Sequence, residues 1–385
     1  MFSLNRARAT DSTNAQKRLF APIANVATPD SLTAVVTLKQ ANGLFLWNMG
    51  WGDAVIVAPE SADGNKAQPV GTGPYQFAGW VRGDSLRLSR FDDYWGEKPA
   101  MVAVIFKLIS DPSAQVAAML AGDIDVFPNL GAPESLKRFE NDPRFDVFVG
   151  TTEGETILVF NQRRSLFQDR RVRRAISHAI DRKAVIDGAM FGYGTPIGSH
   201  FAPHNNAYID LTELYPYDPE RARTLLKEAG HGESINLVMK LPPPSYARRG
   251  GEIIAAQLAK VGIKAEIVPV EWAQWLSDVF RNDHLFDLTV ISHTEPLDID
   301  IYTRDDYYFG YSSDQLEAAM TKIANSNEEA DRDRLYGEAQ RIIADDAANV
   351  FLFQLAKHGV QKRGLKGMWR NSPIQANDVT HARWE

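Results

Sequence analysis

Residues 158–188 read LVFNQRRSLFQDRRVRRAISHAIDRKAVIDG and hold a strand, a turn and two capped helices in succession. Ile157, Leu158, Val159 and Phe160 form a short, β-prone run that is apolar on both faces, which predicts a buried strand. Asn161–Gln168 breaks the pattern. Asp169 is placed to cap a helix whose Val172, Ala175, Ile176, Ala179 and Ile180 fall on one face. Asp181 is placed to cap a second helix, Arg182–Met190, which Gly192 and Gly194 bring to an end.

The same alternation continues on both sides. Upstream, Leu32–Lys39 and Ser85–Arg90 alternate as half-buried strands do, and Val102–Ile109 is a more apolar strand. A helix from Pro112 to Leu120 ends at Gly122, and Ile124–Phe127 re-enters a sheet. Downstream, helices are expected at Glu220–Ala229, Tyr246–Val261, Trp272–Arg281, Asp314–Ile323 and Glu328–Asp345. Strands are expected at Ile235–Lys240, Lys264–Val270, Phe286–Ile291 and Val350–Phe353. Pro219 after Asp218 suits a first helical turn, and Gly230 and Gly262 suit helix ends. The class is α/β, with mixed sheets flanked by helices.

Composition narrows the function. The 385 residues suffice for two or three domains with ample cores. A net charge of -7 argues against a nucleic-acid partner. No cysteine is present, which removes disulfides, thiolate metal sites and cysteine nucleophiles. No run of apolar residues is long enough for a membrane helix, and the first residues carry no apolar core of a signal peptide. The sequence lacks G-x-S-x-G, H-E-x-x-H and the phosphate-loop pattern. Pro203 between His200 and His204 rules out a helical metal-ligand pair, and loop histidines without metal or cofactor are expected.

Five motifs fall in one order along the chain. They are Gly71-Thr72-Gly73-Pro74-Tyr75, the pair Tyr94-Trp95, Gly122-Asp123-Ile124-Asp125, the segment from Asn161 through Phe167, Asp169, Arg171-Val172-Arg173 to Asp181-Arg182, and Asp218-Pro219 through Ala229-Gly230. In this the chain resembles the extracytoplasmic solute-binding proteins of ABC importers, in the family 5 class that serves dipeptides, oligopeptides and nickel. The resemblance implies a two-lobed periplasmic-binding-protein-like fold. Its lobes would be 1–157 plus 353–385 and 158–352, joined by two crossover strands near Leu158–Phe160 and Phe351–Phe353. It also implies a monomer outside the cytoplasmic membrane, in the periplasm or cell envelope, that delivers a peptide or peptide-like ligand to ABC permease subunits. Relatives begin with an export signal and further strands of the first lobe, so this chain reads as truncated at its front.

The candidate site follows the strand Phe286–Ile291. Ligands in open α/β sheets sit beyond the carboxyl ends of strands. His293 and Thr294 stand there, and Asp298 and Asp300 follow within an acidic, aromatic stretch. In peptide-binding relatives this neighbourhood supplies the aspartate for the peptide amino terminus, and the alternative is that these aspartates cap a turn. Tyr246, Arg248 and Arg249 begin a helix after a strand, where an arginine can receive a ligand carboxylate or simply be solvated. Trp51, with Trp47 and Trp80, is a candidate for the opposite wall. The arginines at 163, 164, 170, 171, 173 and 174 form a solvated helix face or an anion site, with one of them expected to form a buried ion pair with Asp169 or Asp181 that holds the crossover. The functional expectation is a receptor that makes and breaks no bond. Its rivals are a hydrolase in which Asp298 and Asp300 share a proton and a holdase for unfolded chains.

Overall fold

Both helix caps form. In the computed structural model, which describes residues 1–281, 284–372 and 377–385, the Asp169 carboxylate accepts from the Arg171 amide at 2.8 Å and that of Asp181 from Ala184 at 3.0 Å. Val172, Ala175, Ile176 and Ala179 are fully buried along helix Arg170–Ala179. Ile180 adopts an extended conformation, so Arg182–Met190 is a separate helix. The buried arginine is Arg173, and its partners differ from those expected. Its guanidinium donates to the carbonyls of Phe167 (2.7 Å), Asp346 (2.6 Å) and Ala347 (3.0 Å), which satisfies a charge that burial alone would disfavour. The aspartate at the cap pairs instead with Arg171, at 2.6 Å on the surface.

The chain divides into two compact units, one of Met1–Leu108, Met320–Leu335 and Val379–Arg383, the other of Ile109–Ala319, Tyr336–Asp378 and Trp384–Glu385. Residues 109–157 pack in one unit with those that come after them. Residues 373–376 of the expected range 353–385 lie outside the described residues.

In the first unit, β1 (Ile23–Ala27) pairs antiparallel with β2 (Val35–Leu38). A second antiparallel sheet orders β3 (Tyr75–Val81), β4 (Ser85–Arg90) and β5 (Ala103–Lys107). The Trp95 indole donates to the Thr72 carbonyl at 3.0 Å, so the Tyr-Trp pair ties down the Gly-Thr-Gly-Pro turn. Trp51 packs half-buried against the small core of Leu19, Phe20, Ile23 and Val26.

The second unit is built on one mixed sheet. Its strands are β6 (Val126–Phe127), β7 (Phe145–Phe160), β8 (Thr195–Pro196), β9 (Ile235–Leu241), β10 (Ile263–Pro269), β11 (Leu288–His293) and β12 (Asn349–Lys362). The order is β10-β9-β11-β7-β12-β6, with β8 on β12. β9 runs parallel to β10 and β11, while β7 runs antiparallel to β11 and β12. The sequence marked only the fully buried ends of β7 and β12. The two strands stay paired from Val159 opposite Asn349 to Phe145 opposite Lys362, through two irregularities. Helices Arg170–Ala179, Arg182–Met190, Pro219–Glu228 and Ser245–Ala259 contribute to one core with Leu158, Phe160, Val290, Val350 and Phe353. Each such side chain contributes roughly 1.5–3 kcal/mol of burial.

Candidate functional site

A cleft of about 860 Å³ lies within the second unit. One wall begins at Asp111, whose carboxylate accepts from the Ala114 amide at 2.7 Å and caps helix Pro112–Ala121. Gln115 on that helix donates to the Ile109 carbonyl at 2.7 Å and accepts from the Gly131 amide at 2.8 Å. One side chain thus fixes the strand exit and the 129–133 loop on the same wall. The other wall is the start of helix Ser245–Ala259, entered through the stiff Pro242-Pro243-Pro244 segment, together with Glu271 and Trp272. The base is made by the end of β11 and the residue after it, Ser292 and Thr294, and by Leu355 and His358 in the middle of β12.

Three of the residues singled out from the sequence border this cleft: Tyr246, Arg248 and Thr294. Tyr246 is half-buried, and burial raises its phenol well above the ordinary value although its hydroxyl meets the Ser292 amide. Arg248 donates to Glu271 at 3.0 Å and to the Val270 carbonyl at 3.2 Å, which leaves its buried Nε without a partner. Arg249 points to Glu134 instead and forms a forked pair at 2.9 and 3.2 Å, stacked over the Phe191 ring at 5.3 Å. Ser292 Oγ and His358 Nε2 are also buried without partners. Burial pulls the His358 imidazole down to about 4, so it is neutral near pH 7.

Asp298 and His293 lie beside the cleft base but do not border it. His200 Nε2 donates to Asp298 Oδ1 at 2.9 Å, and His293 Nδ1 is 3.8 Å from Asp298 Oδ2. His293 Nε2 meets the Tyr308 hydroxyl at 3.0 Å. Glu155, directly opposite His293 in the β7–β11 ladder, places Oε1 at 3.5 Å from His200 Nδ1. Burial, and then the charge of Asp298, push the Glu155 carboxyl well above its usual range. Burial also opposes ionisation of Asp298, but the His200 hydrogen bond and charge outweigh it and hold that carboxylate below its usual range. His200 is therefore a wholly buried network residue, not the exposed loop histidine expected.

Glu155, His200 and Asp298, and likewise His293, Glu295 and Asp298, bring ligand-type atoms within 4.8 Å of one another. Asp300 forms a forked pair with Arg304 at 2.9 and 3.2 Å. Each of the two aspartates thus has a basic partner, His200 for Asp298 and Arg304 for Asp300. Trp51 belongs to the core of the first unit. His200, Glu155, His358 and Glu134 were missed, since their roles come from residues distant in sequence.

The family model described as "Bacterial extracellular solute-binding proteins, family 5 Middle" matches residues 1–314. The chain is 31% identical over 276 residues to the dipeptide-binding protein of Escherichia coli (strain K12), which covers 68% of this chain and 51% of that protein. It spans about half the length of the first curated relatives it matches. Among solved structures, the periplasmic binding protein DppA from Helicobacter pylori, in complex with the peptide STSA, superposes with a TM-score of 0.87. The identity is 23%, with 100% of this chain and 77% of that one covered. NikA from Staphylococcus aureus, in complex with Ni(L-His)2, superposes with the same TM-score at 16% identity, covering 100% of this chain and 83% of that one. At these identities the two likenesses concern the fold alone.

Proposed function

The chain belongs to the bacterial extracellular solute-binding proteins of family 5, and on that premise we propose that it is the substrate-binding receptor of an ABC importer. Its solute is a peptide or peptide-like molecule, held in the cleft and passed unaltered to membrane permease subunits outside the cytoplasm. The observation that carries this reading is the make-up of the cleft. Its walls come from residues 110–133 and 243–272, on opposite sides of the expected crossover at 158, and its base includes Leu355, Ala356 and His358 of β12, the strand that pairs with β7. A cavity between segments joined by two adjacent strands suits closure of lobes 1–157 plus 353–385 and 158–352 around a small ligand. The solute drives closure only by the difference between its affinities for the closed and open forms.

The volume suits a short peptide, and Trp272 with Tyr246 offers ring faces to apolar side chains. Among the described residues no helix is long and apolar enough to cross a membrane. The test is thermal melting with di- and tripeptide mixtures at about 1 mM, followed by mass spectrometry of the recovered solute. Binding at about a hundred times Kd stabilises the native state by about 2.7 kcal/mol, which is a resolvable shift. No shift with any peptide, or recovery of a cleaved solute, would overturn the reading.

A further inference from the structure

We propose that His293, Glu295 and Asp298 form a binding site for one divalent transition-metal ion of the zinc type, beside the solute cleft. The proposal goes beyond the receptor reading and does not depend on which solute the cleft holds.

The first observation is the donor set. Each of these three residues brings a ligand-type atom within 4.8 Å of the other two. One imidazole with two carboxylates suits zinc and its transition-metal neighbours, whereas magnesium and calcium prefer oxygen alone. His293 Nδ1 and Asp298 Oδ2 face each other at 3.8 Å. A tetrahedral ion with bonds of about 2.0–2.2 Å holds its ligand atoms about 3.3–3.6 Å apart, so a small inward shift lets both atoms bind one ion.

The second observation is independent of the first. His293 is 8% exposed, and its Nδ1 makes no hydrogen bond among the described residues. A buried ring nitrogen without a partner is uncommon. This one faces a carboxylate oxygen that is too distant for a hydrogen bond. An ion between the two supplies a partner to both.

The surroundings fit as well. Metal-binding side chains are held from behind by further hydrogen bonds. The Tyr308 hydroxyl lies 3.0 Å from His293 Nε2, His200 Nε2 donates to Asp298 Oδ1 at 2.9 Å, and the Thr294 amide donates to Glu295 Oε2 at 3.1 Å. Each of the three is thus anchored through one atom and has a second to offer. Glu295 is exposed and Thr294 borders the cleft, so an ion reaches the site from solvent. Glu155 and His200 form a second group with Asp298, but Glu155 Oε1 and His200 Nδ1 are sealed from solvent. Those two residues back Asp298 and do not receive the ion.

The experiment is calorimetric titration of the untagged full chain, stripped with a chelator and dialysed, with Zn2+, Co2+ and Ca2+ and no solute. One Zn2+ should bind per chain, at least about a hundred-fold tighter than Ca2+, and bound Co2+ should gain visible absorption. Glu295→Gln and His293→Ala should each weaken zinc binding by about ten-fold or more, and Tyr308→Phe, which removes only a supporting hydroxyl, by about ten-fold. His204→Ala, at an exposed histidine outside the site, should leave zinc affinity unchanged. Glu295 is exposed, so Glu295→Gln tests the site without touching the core. No zinc binding by the parent at about 1 mM overturns the proposal. So does zinc affinity that Glu295→Gln and His293→Ala leave unchanged, which marks an adventitious surface ion only, or Ca2+ binding as tight as that of Zn2+. Every readout is taken without solute, so these failures leave the receptor reading standing, and a failure of peptide binding leaves this proposal standing.

Discussion

Replacing Glu155 with glutamine should stabilise the protein at alkaline pH and leave it nearly unchanged in mild acid. Glu155 is 2% exposed in the middle of the sheet, opposite His293 on one side and Gln354 on the other. Its Oε1 and His200 Nδ1 face each other at 3.5 Å, both without hydrogen-bond partners. The folded-state pKa of Glu155 is raised, by burial first and then by Asp298. A carboxyl of this kind favours the folded state fully below its unfolded pKa. That contribution is lost as pH rises through the raised folded value. Asp298 behaves oppositely: its folded pKa is depressed, so its contribution is present above the unfolded pKa and lost as pH falls through the folded value. Glutamine has the shape of protonated Glu155 and cannot ionise. At about pH 4, below the unfolded pKa, the variant should match the parent within about 0.5 kcal/mol, the usual scatter of a neutral change. At about pH 8 it should be more stable by about 1–3 kcal/mol, the cost of a buried unpaired polar group. At about 2 °C per kcal/mol for a large chain, melting curves should separate by roughly 2–6 °C. An equal loss of stability at both pH values would refute the proton assignment in this network.

Two further outcomes follow from the same geometry. Glu134→Gln should weaken solute affinity by no more than about five-fold, since half-exposed ion pairs contribute at most about 1 kcal/mol. Exchanging the charges, Glu134→Arg with Arg249→Glu, should restore it, and about 0.5 M salt should erase the difference in a titration series. Arg173→Lys should lower the unfolding free energy by about 2–3 kcal/mol in urea melts, because one ammonium cannot reach three carbonyls spread over two separate segments. A change below about 0.5 kcal/mol would show that the guanidinium fork is not what joins those segments.

Much of the candidate site was legible only in outline. Tyr246, Arg248 and Thr294 were found because helix starts and strand ends can be read locally, and the cleft lies at such ends. His358 was missed because the last strand was expected to stop at Phe353, whereas β12 continues to Lys362. That continuation comes from pairing with β7, whose half-buried residues 146–153 carry weak apolar alternation. Trp51 was a reasonable candidate by type, but its neighbours Leu19 and Phe20 make it a packing residue.

The sequence by itself determined the helix caps at Asp169 and Asp181, the helix starts at Pro112 and Pro219, the apolar stripes and most strand positions, and so the α/β class. These rest on contacts between residues two to four apart, which the chain order already contains. Only the tertiary structure decided which charges remain for a ligand. Asp298 meets His200 across 98 positions, Arg249 meets Glu134 across 115, and Arg173 meets the Asp346 carbonyl across 173. A buried polar group takes whichever partner the sheet order brings to it, and that order is a property of the folded whole.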